Sequence, residues 1–128
     1  MAKVLIADDN RFFRQMLRQK FSCEAEFQVC GEAENGKQAV EQAVRLQPDI
    51  IVLDVVMPIM NGVDAARVLR VLMPSVPIIM NSVETDRLTE QQARVIGITE
   101  IVGKSGSVLL EKAREALYRD PPNTAVNG

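Results

Sequence analysis

The chain contains no histidine. That removes an imidazole general base, an imidazole metal ligand and any phosphohistidine formed on this polypeptide, so a group of that kind must come from a partner. Cysteine is scarce: Cys23 and Cys30 lack CxxC spacing and read as packing or surface residues around the second strand. The start, Met1-Ala2-Lys3-Val4, has no basic segment leading into a long apolar run and cleavage site. The expectation is a cytoplasmic protein with reduced thiols. Charge of one sign is lacking as well, since 15 basic and 17 acidic residues leave a net charge of -2. Such a balance provides no bulk attraction to nucleic acid or to an anionic membrane. Internal repeats and low-complexity tracts are absent too.

What is present is a pattern. At 128 residues and 47% hydrophobic composition, the chain has room for one domain, and a domain of this size buries roughly two thirds of the surface its unfolded chain exposes. Short apolar runs alternate with amphipathic stretches, as in a parallel sheet covered by helices on both faces. Strands are expected near residues 4–7, 28–31, 50–53, 78–80 and 100–102. The first, third and fourth are continuously apolar, as strands covered on both faces should be.

Five helices fit between and after them. The first starts near Asn10 with Phe13, Met16, Leu17 and Phe21 inward, and the second follows Asn35-Gly36 with Ala39, Val40, Ala43 and Val44. The third follows Asn61-Gly62 with Ala66, Leu69 and Met73, before Pro74 and Pro77 lead the chain into the fourth strand. The fourth, over 85–94, is mostly polar, offers Leu88, Ala93, Val95 and Ile96 inward and ends at Gly97; it is expected to be the least firmly packed. The fifth, over 107–118, shows Leu109, Leu110, Ala113 and Leu117, and Asp120-Pro121-Pro122 stops it. Residues 1–120 are therefore expected to form the domain, with 121–128 a tail or the beginning of a linker.

Chemistry gathers where the strands run out. Asp8 and Asp9 end the first apolar run, Asp54 ends the third, Ser82 the fourth, and Lys104 follows the fifth. In an open parallel sheet these ends share one edge, at the crevice where such proteins bind ligands. Three carboxylates there would all be ionised and would repel one another unless a divalent cation joined them. Oxygen donors with room for water suit Mg2+, with Mn2+ as a substitute. Asp54, alone on the central strand, is the natural nucleophile toward phosphorus, with Asp9 and Asp8 holding the metal. Lys104 can pair with phosphoryl oxygens and Ser82 can hydrogen-bond to one. Each residue alone has a plainer role, as helix cap, turn former, solvated lysine or backbone partner. Their joint placement at four strand ends is what points to phosphoryl transfer.

Over essentially its whole length the chain resembles the receiver domain of two-component response regulators, the single-domain chemotaxis regulators among them. The resemblance rests on Asp8-Asp9-Asn10, the segment from Pro48 through Asp54 to Pro58, Met60-Asn61-Gly62, the run from Pro77 to Ser82, and Gly103-Lys104. It implies an α/β, flavodoxin-like, doubly wound fold with a five-stranded parallel sheet in the order 2-1-3-4-5 and five helices. It also implies Asp54 as phosphoacceptor, and Mg2+ held by Asp9, Asp54 and the backbone carbonyl of Val56. Asp8 completes the acidic pocket through water, Ser82 is the switch hydroxyl and Lys104 pairs with the phosphate. The phosphoryl donor would be a sensor histidine kinase or phosphotransfer protein. The response would be a shift of the face formed by the fourth helix, fifth strand and fifth helix toward an output partner or a linked output domain. That face is also the candidate for self-association. The domain would catalyse only its own phosphorylation and dephosphorylation.

Departures from the family pattern sharpen the expectations. Ile101 replaces the usual aromatic switch residue, so switching should use small motions through Ser82 and the polar fourth helix. Ser105 replaces the proline after the lysine, where a cis bond would cost about 2.5–4 kcal/mol, so a trans bond or an altered loop is expected. Asn81 stands where an apolar residue is usual and must find hydrogen-bond partners if buried; Val83 narrows access to Asp54. Val56 and Glu84 flank the mouth of the site, and Val56 has no group to position water, which predicts slow dephosphorylation. Other readings remain open: an aspartyl phosphatase, which would place its nucleophile on the first strand, a flavin carrier, whose phosphate Asp8 and Asp9 would repel, and a receiver-like binding module that works without phosphorylation.

Overall fold

Continuous apolar strands need cover on both faces, and amphipathic helices supply it. The computed structural model describes residues 1–82, 87–103 and 108–118. The order is β1 (Ala2–Ala7), α1 (Arg11–Ser22), β2 (Phe27–Ala33), α2 (Gly36–Leu46), β3 (Ile50–Asp54), α3 (Gly62–Leu72), β4 (Ile78–Ser82), α4 (Arg87–Ile96), β5 (Glu100–Gly103) and α5 (Leu109–Leu117). All pairings are parallel, in the order β2-β1-β3-β4-β5. The chain therefore leaves β1 toward one edge and returns through β3 toward the other, which opens a crevice at the C-terminal ends of β1 and β3.

Three helices begin in the same way. The side chains of Asn10, Asn35 and Asn61 accept the N–H groups of Phe13, Gln38 and Asp64 at 3.1, 2.8 and 2.9 Å. Each cap satisfies a donor that the first turn leaves open, a contribution of about 1 kcal/mol apiece. Two of them, Asn10 and Asn61, follow strands that end at the crevice, so the capping residues also aim the loops that line it.

Side-chain alternation along the sheet separates two cores. Leu5, Ile51, Leu53, Ile78 and Met80 meet Ala39 and Ala43 of α2 and Ala65, Ala66 and Leu69 of α3. Val4, Ile6, Val52, Ile79 and Val102 meet Leu17 and Phe21 of α1 and Leu109 and Ala113 of α5. Two residues expected inward face water: Val44 is 48% exposed and Val95 is 88% exposed. The reason is angular. Each helical residue advances by about 100°, so Val44 swings past the line through Ala39 and Ala43, and Val95 lies on the far side of α4 from Ala93. Conversely, Arg14 falls on the line of Leu17 and Phe21 and is buried.

The central strands also run further than their apolar sequences. β3 includes Asp54 and β4 includes Asn81 and Ser82, because the ladder continues through Asp54 with Asn81, Asn81 with Val102 and Ser82 with Gly103. The polar ends of the strands are thus held by the sheet.

Gly62 ties α3 to this edge. Its N–H donates to the Val55 carbonyl at 2.9 Å, and a Cβ on it would lie 2.0 Å from the Asp54 carbonyl oxygen. The Gly62→Ala variant is expected to lose about 2 kcal/mol or more, since the clash is with backbone and outweighs any gain in helix propensity. A urea unfolding midpoint equal to that of the wild type would contradict this.

Candidate functional site

At the crevice, one carboxylate oxygen from each of Asp8, Asp9 and Asp54 lies within 4.8 Å of the others. Asp8 and Asp54 are 1% and 4% exposed, whereas Asp9 is open to solvent. Several groups hold Asp8 in place. Its N–H donates to the Ala33 carbonyl at 3.0 Å, its Oδ1 accepts the Asn10 N–H at 2.8 Å, and its carbonyl accepts Arg14 Nη1 at 2.7 Å. Arg14 in turn pairs with Glu32 at 3.4 Å and Glu34 at 3.5 Å. A buried guanidinium therefore joins the exit of β1 to that of β2, a link that its charge alone would not suggest.

The loop from Asp54 to α3 is fixed at both ends. Besides the Gly62 contact, the Met60 carbonyl accepts the N–H of Gly36 at 2.8 Å, and the Met60 N–H reaches back to the Pro58 carbonyl at 2.7 Å. Between those two residues Ile59 has φ 71°, a left-handed conformation for a β-branched residue, and such strain costs on the order of 1–3 kcal/mol. Nothing in the sequence marks Ile59 for that conformation. Val56 is 71% exposed, and its carbonyl accepts no hydrogen bond among the described residues.

On the other side of Asp54, Asn81 is 2% exposed and Ser82 is 4% exposed. Ile101 is half-buried on β5 and packs against the core beneath α2 and α3. Lys104 and Glu84 lie outside the described residues, as do Val83 and the bond before Ser105. Cys23 and Cys30 are free thiols. Burial pushes the Cys30 thiol up, further from reactive thiolate.

The donor set fits a hard divalent cation. All three side-chain donors are carboxylate oxygens, and nitrogen or sulfur ligands are missing from the cluster. Aligned this closely, the three charges repel, and a doubly charged ion between them reverses the sign of the interaction.

Residues 4–114 match the family model of the response regulator receiver domain. The chain is 37% identical over 115 residues to a protein-glutamate methylesterase/protein-glutamine glutaminase of Pyrococcus abyssi, covering 88% of this chain and 31% of that protein. It thus spans about a third of the length of the curated relatives it matches. Among solved structures it is similar to the response regulator domain of Thermotoga maritima CheB, with a TM-score of 0.85 and 30% identity over 94% of this chain and 99% of that one. It is also similar to the Vibrio cholerae chemotaxis protein CheY4, with a TM-score of 0.83 and 30% identity over 91% and 98% of the two chains.

The Asp8→Asn variant keeps an acceptor for the Asn10 N–H but removes one of three clustered charges. Without divalent cation it is expected to melt several degrees above the wild type, while millimolar Mg2+ should raise the melting temperature of the wild type and leave the variant nearly unchanged. Absence of any Mg2+ shift in the wild type would contradict a cation site here.

Proposed function

The chain belongs to the response regulator receiver domain family, and from that premise we propose that it accepts a phosphoryl group on Asp54 from a phosphohistidine of a sensor histidine kinase or phosphotransfer protein. The observation that carries this reading is the convergence of Asp8, Asp9 and Asp54 within 4.8 Å at the crevice. A carboxylate oxygen of Asp54 attacks phosphorus, the P–O bond forms as the P–N bond breaks, and the imidazole leaves with the partner. Because this chain has no histidine, the donor must be another protein or domain.

Asp9, Asp54 and the Val56 carbonyl would ligate Mg2+, or Mn2+ in its place, with Asp8 acting through water. When bound, such a cation offsets charge on the transferring oxygens. Ser82 donates to a phosphoryl oxygen and Lys104 pairs with another. The dianionic product then favours whichever arrangement of Ser82 and the α4–β5–α5 face pairs it better. Ile101 is already packed against the core, so the change is carried by Ser82 and α4 without an aromatic swing. Val56 places no polar group at the mouth, which supports a long-lived acyl phosphate, and Glu84 is the other tuning position.

The output is a partner protein, a second copy through α4–β5–α5, or a linked domain; the span of the methylesterase relatives beyond the matched region is one example of the last. In this reading the domain itself catalyses only its own phosphorylation and dephosphorylation, binds neither nucleic acid nor membrane, and works in the cytoplasm. No helix among the described residues is long and apolar enough to cross a membrane.

Incubation with acetyl phosphate and Mg2+ should add one acid-labile phosphoryl group to the intact mass. That gain should vanish in Asp54→Ala and on chelation of the metal. No gain in the wild type would overturn the phosphoacceptor reading in favour of a receiver-like module that binds its partner without phosphorylation.

A further inference from the structure

Asn81 places a buried carboxamide on β4, after the apolar Ile78, Ile79 and Met80. The residue is 2% exposed, and its Oδ1 has no hydrogen-bond partner among the described residues. Leaving a buried polar atom unmatched opposes folding, and an apolar side chain in its place would avoid that cost. The resting chain therefore carries a group whose hydrogen-bonding capacity goes unused.

Its location is specific. Ile79, two residues earlier, belongs to the core beneath α1 and α5 together with Val52 and Val102. Asn81 is in register with Asp54 on β3 and with Val102 on β5. Alternation along the strands therefore sets Asn81 and Asp54 on the same face of the sheet, side by side. In the strand order β1-β3-β4, the acidic pair lies on the β1 side of Asp54 and Asn81 on the β4 side. The cation-binding oxygens flank the nucleophile on one side and the carboxamide flanks it on the other.

We propose that Asn81 is a further phosphoryl-contacting residue, donating through Nδ2 to an oxygen of the phosphoryl group on Asp54. This rests on the phosphoacceptor reading of Asp54. A phosphoryl dianion brings acceptors and no donors, so the carboxamide must present its NH2 group. A half-turn about the terminal side-chain torsion exchanges Oδ1 and Nδ2 without altering the shape of the side chain. Donation from Nδ2 gives the phosphorylated state a contact that the resting state lacks, which biases the equilibrium toward the modified state.

Trifluoroberyllate, a phosphoryl mimic that adds to an aspartate oxygen, separates the outcomes when titrated with Mg2+ and followed by fluorine NMR, beside thermal melting of each protein. Asn81→Val is expected to melt at or above the wild-type temperature yet bind the mimic about tenfold to a hundredfold more weakly, the range spanned by a hydrogen bond to a charged group. Asn81→Asp keeps the acceptor and loses the donor, so it should also bind weakly. Wild-type affinity in either variant would overturn the proposal. Failure of the wild type to bind the mimic would overturn the phosphoacceptor reading and this assignment with it.

Discussion

Mutual repulsion among Asp8, Asp9 and Asp54 is the interaction on which the rest of the molecule depends. With oxygens within 4.8 Å of one another, the like charges oppose the fold, Asp9 less than the buried pair because water screens it. The surrounding structure holds the carboxylates there regardless. Asp8 is tied through its N–H, its side chain and its carbonyl, and Asp54 is fixed by the sheet and by Gly62 pressed against its carbonyl. The same loop contains Ile59 in a left-handed conformation. Stability is given up at this edge, and a cation and a phosphoryl group are the ligands that would make use of it.

Topology turns that local cost into a directional site. Because the strand order reverses between β1 and β3, the acidic pair meets Asp54 from one side only, while β4 brings Asn81 and Ser82 along the other. Negative charge and hydrogen-bonding groups are thus segregated across Asp54, as would suit the proposed phosphoryl group, neutralised on one side and held on the other. Ser82 lies in register with Gly103 of β5, which makes the two residues neighbours across the sheet edge.

Periodicity was enough to place the helices and strands, because apolar residues repeat at intervals that suit only one kind of element. Asparagines at three helix starts and acids at strand ends were equally plain, since each is the residue type that its position favours. Other features are invisible to such reasoning. Val44 and Val95 lie beside buried positions but one step around the helix, and pattern alone does not resolve the edge of a stripe. Arg14 carries a charge that suggests a surface residue, although the Asp8 carbonyl just before its helix and the carboxylates of Glu32 and Glu34, remote along the chain, hold it in place. Ile59 adopts a conformation its side chain disfavours, held by Gly36 and Gly62, and Asn81 is buried without the partner that burial normally demands.

The most direct test of the account is paramagnetic broadening of backbone amide signals by substoichiometric Mn2+ in the isotope-labelled protein. The account predicts that amides of Asp8, Asp9, Asp54 and Val56 broaden first, that excess Mg2+ restores them, and that Phe27, at the opposite end of β2, is among the last to broaden. Broadening spread across the exposed acidic surface, or centred away from the ends of β1 and β3, would contradict it.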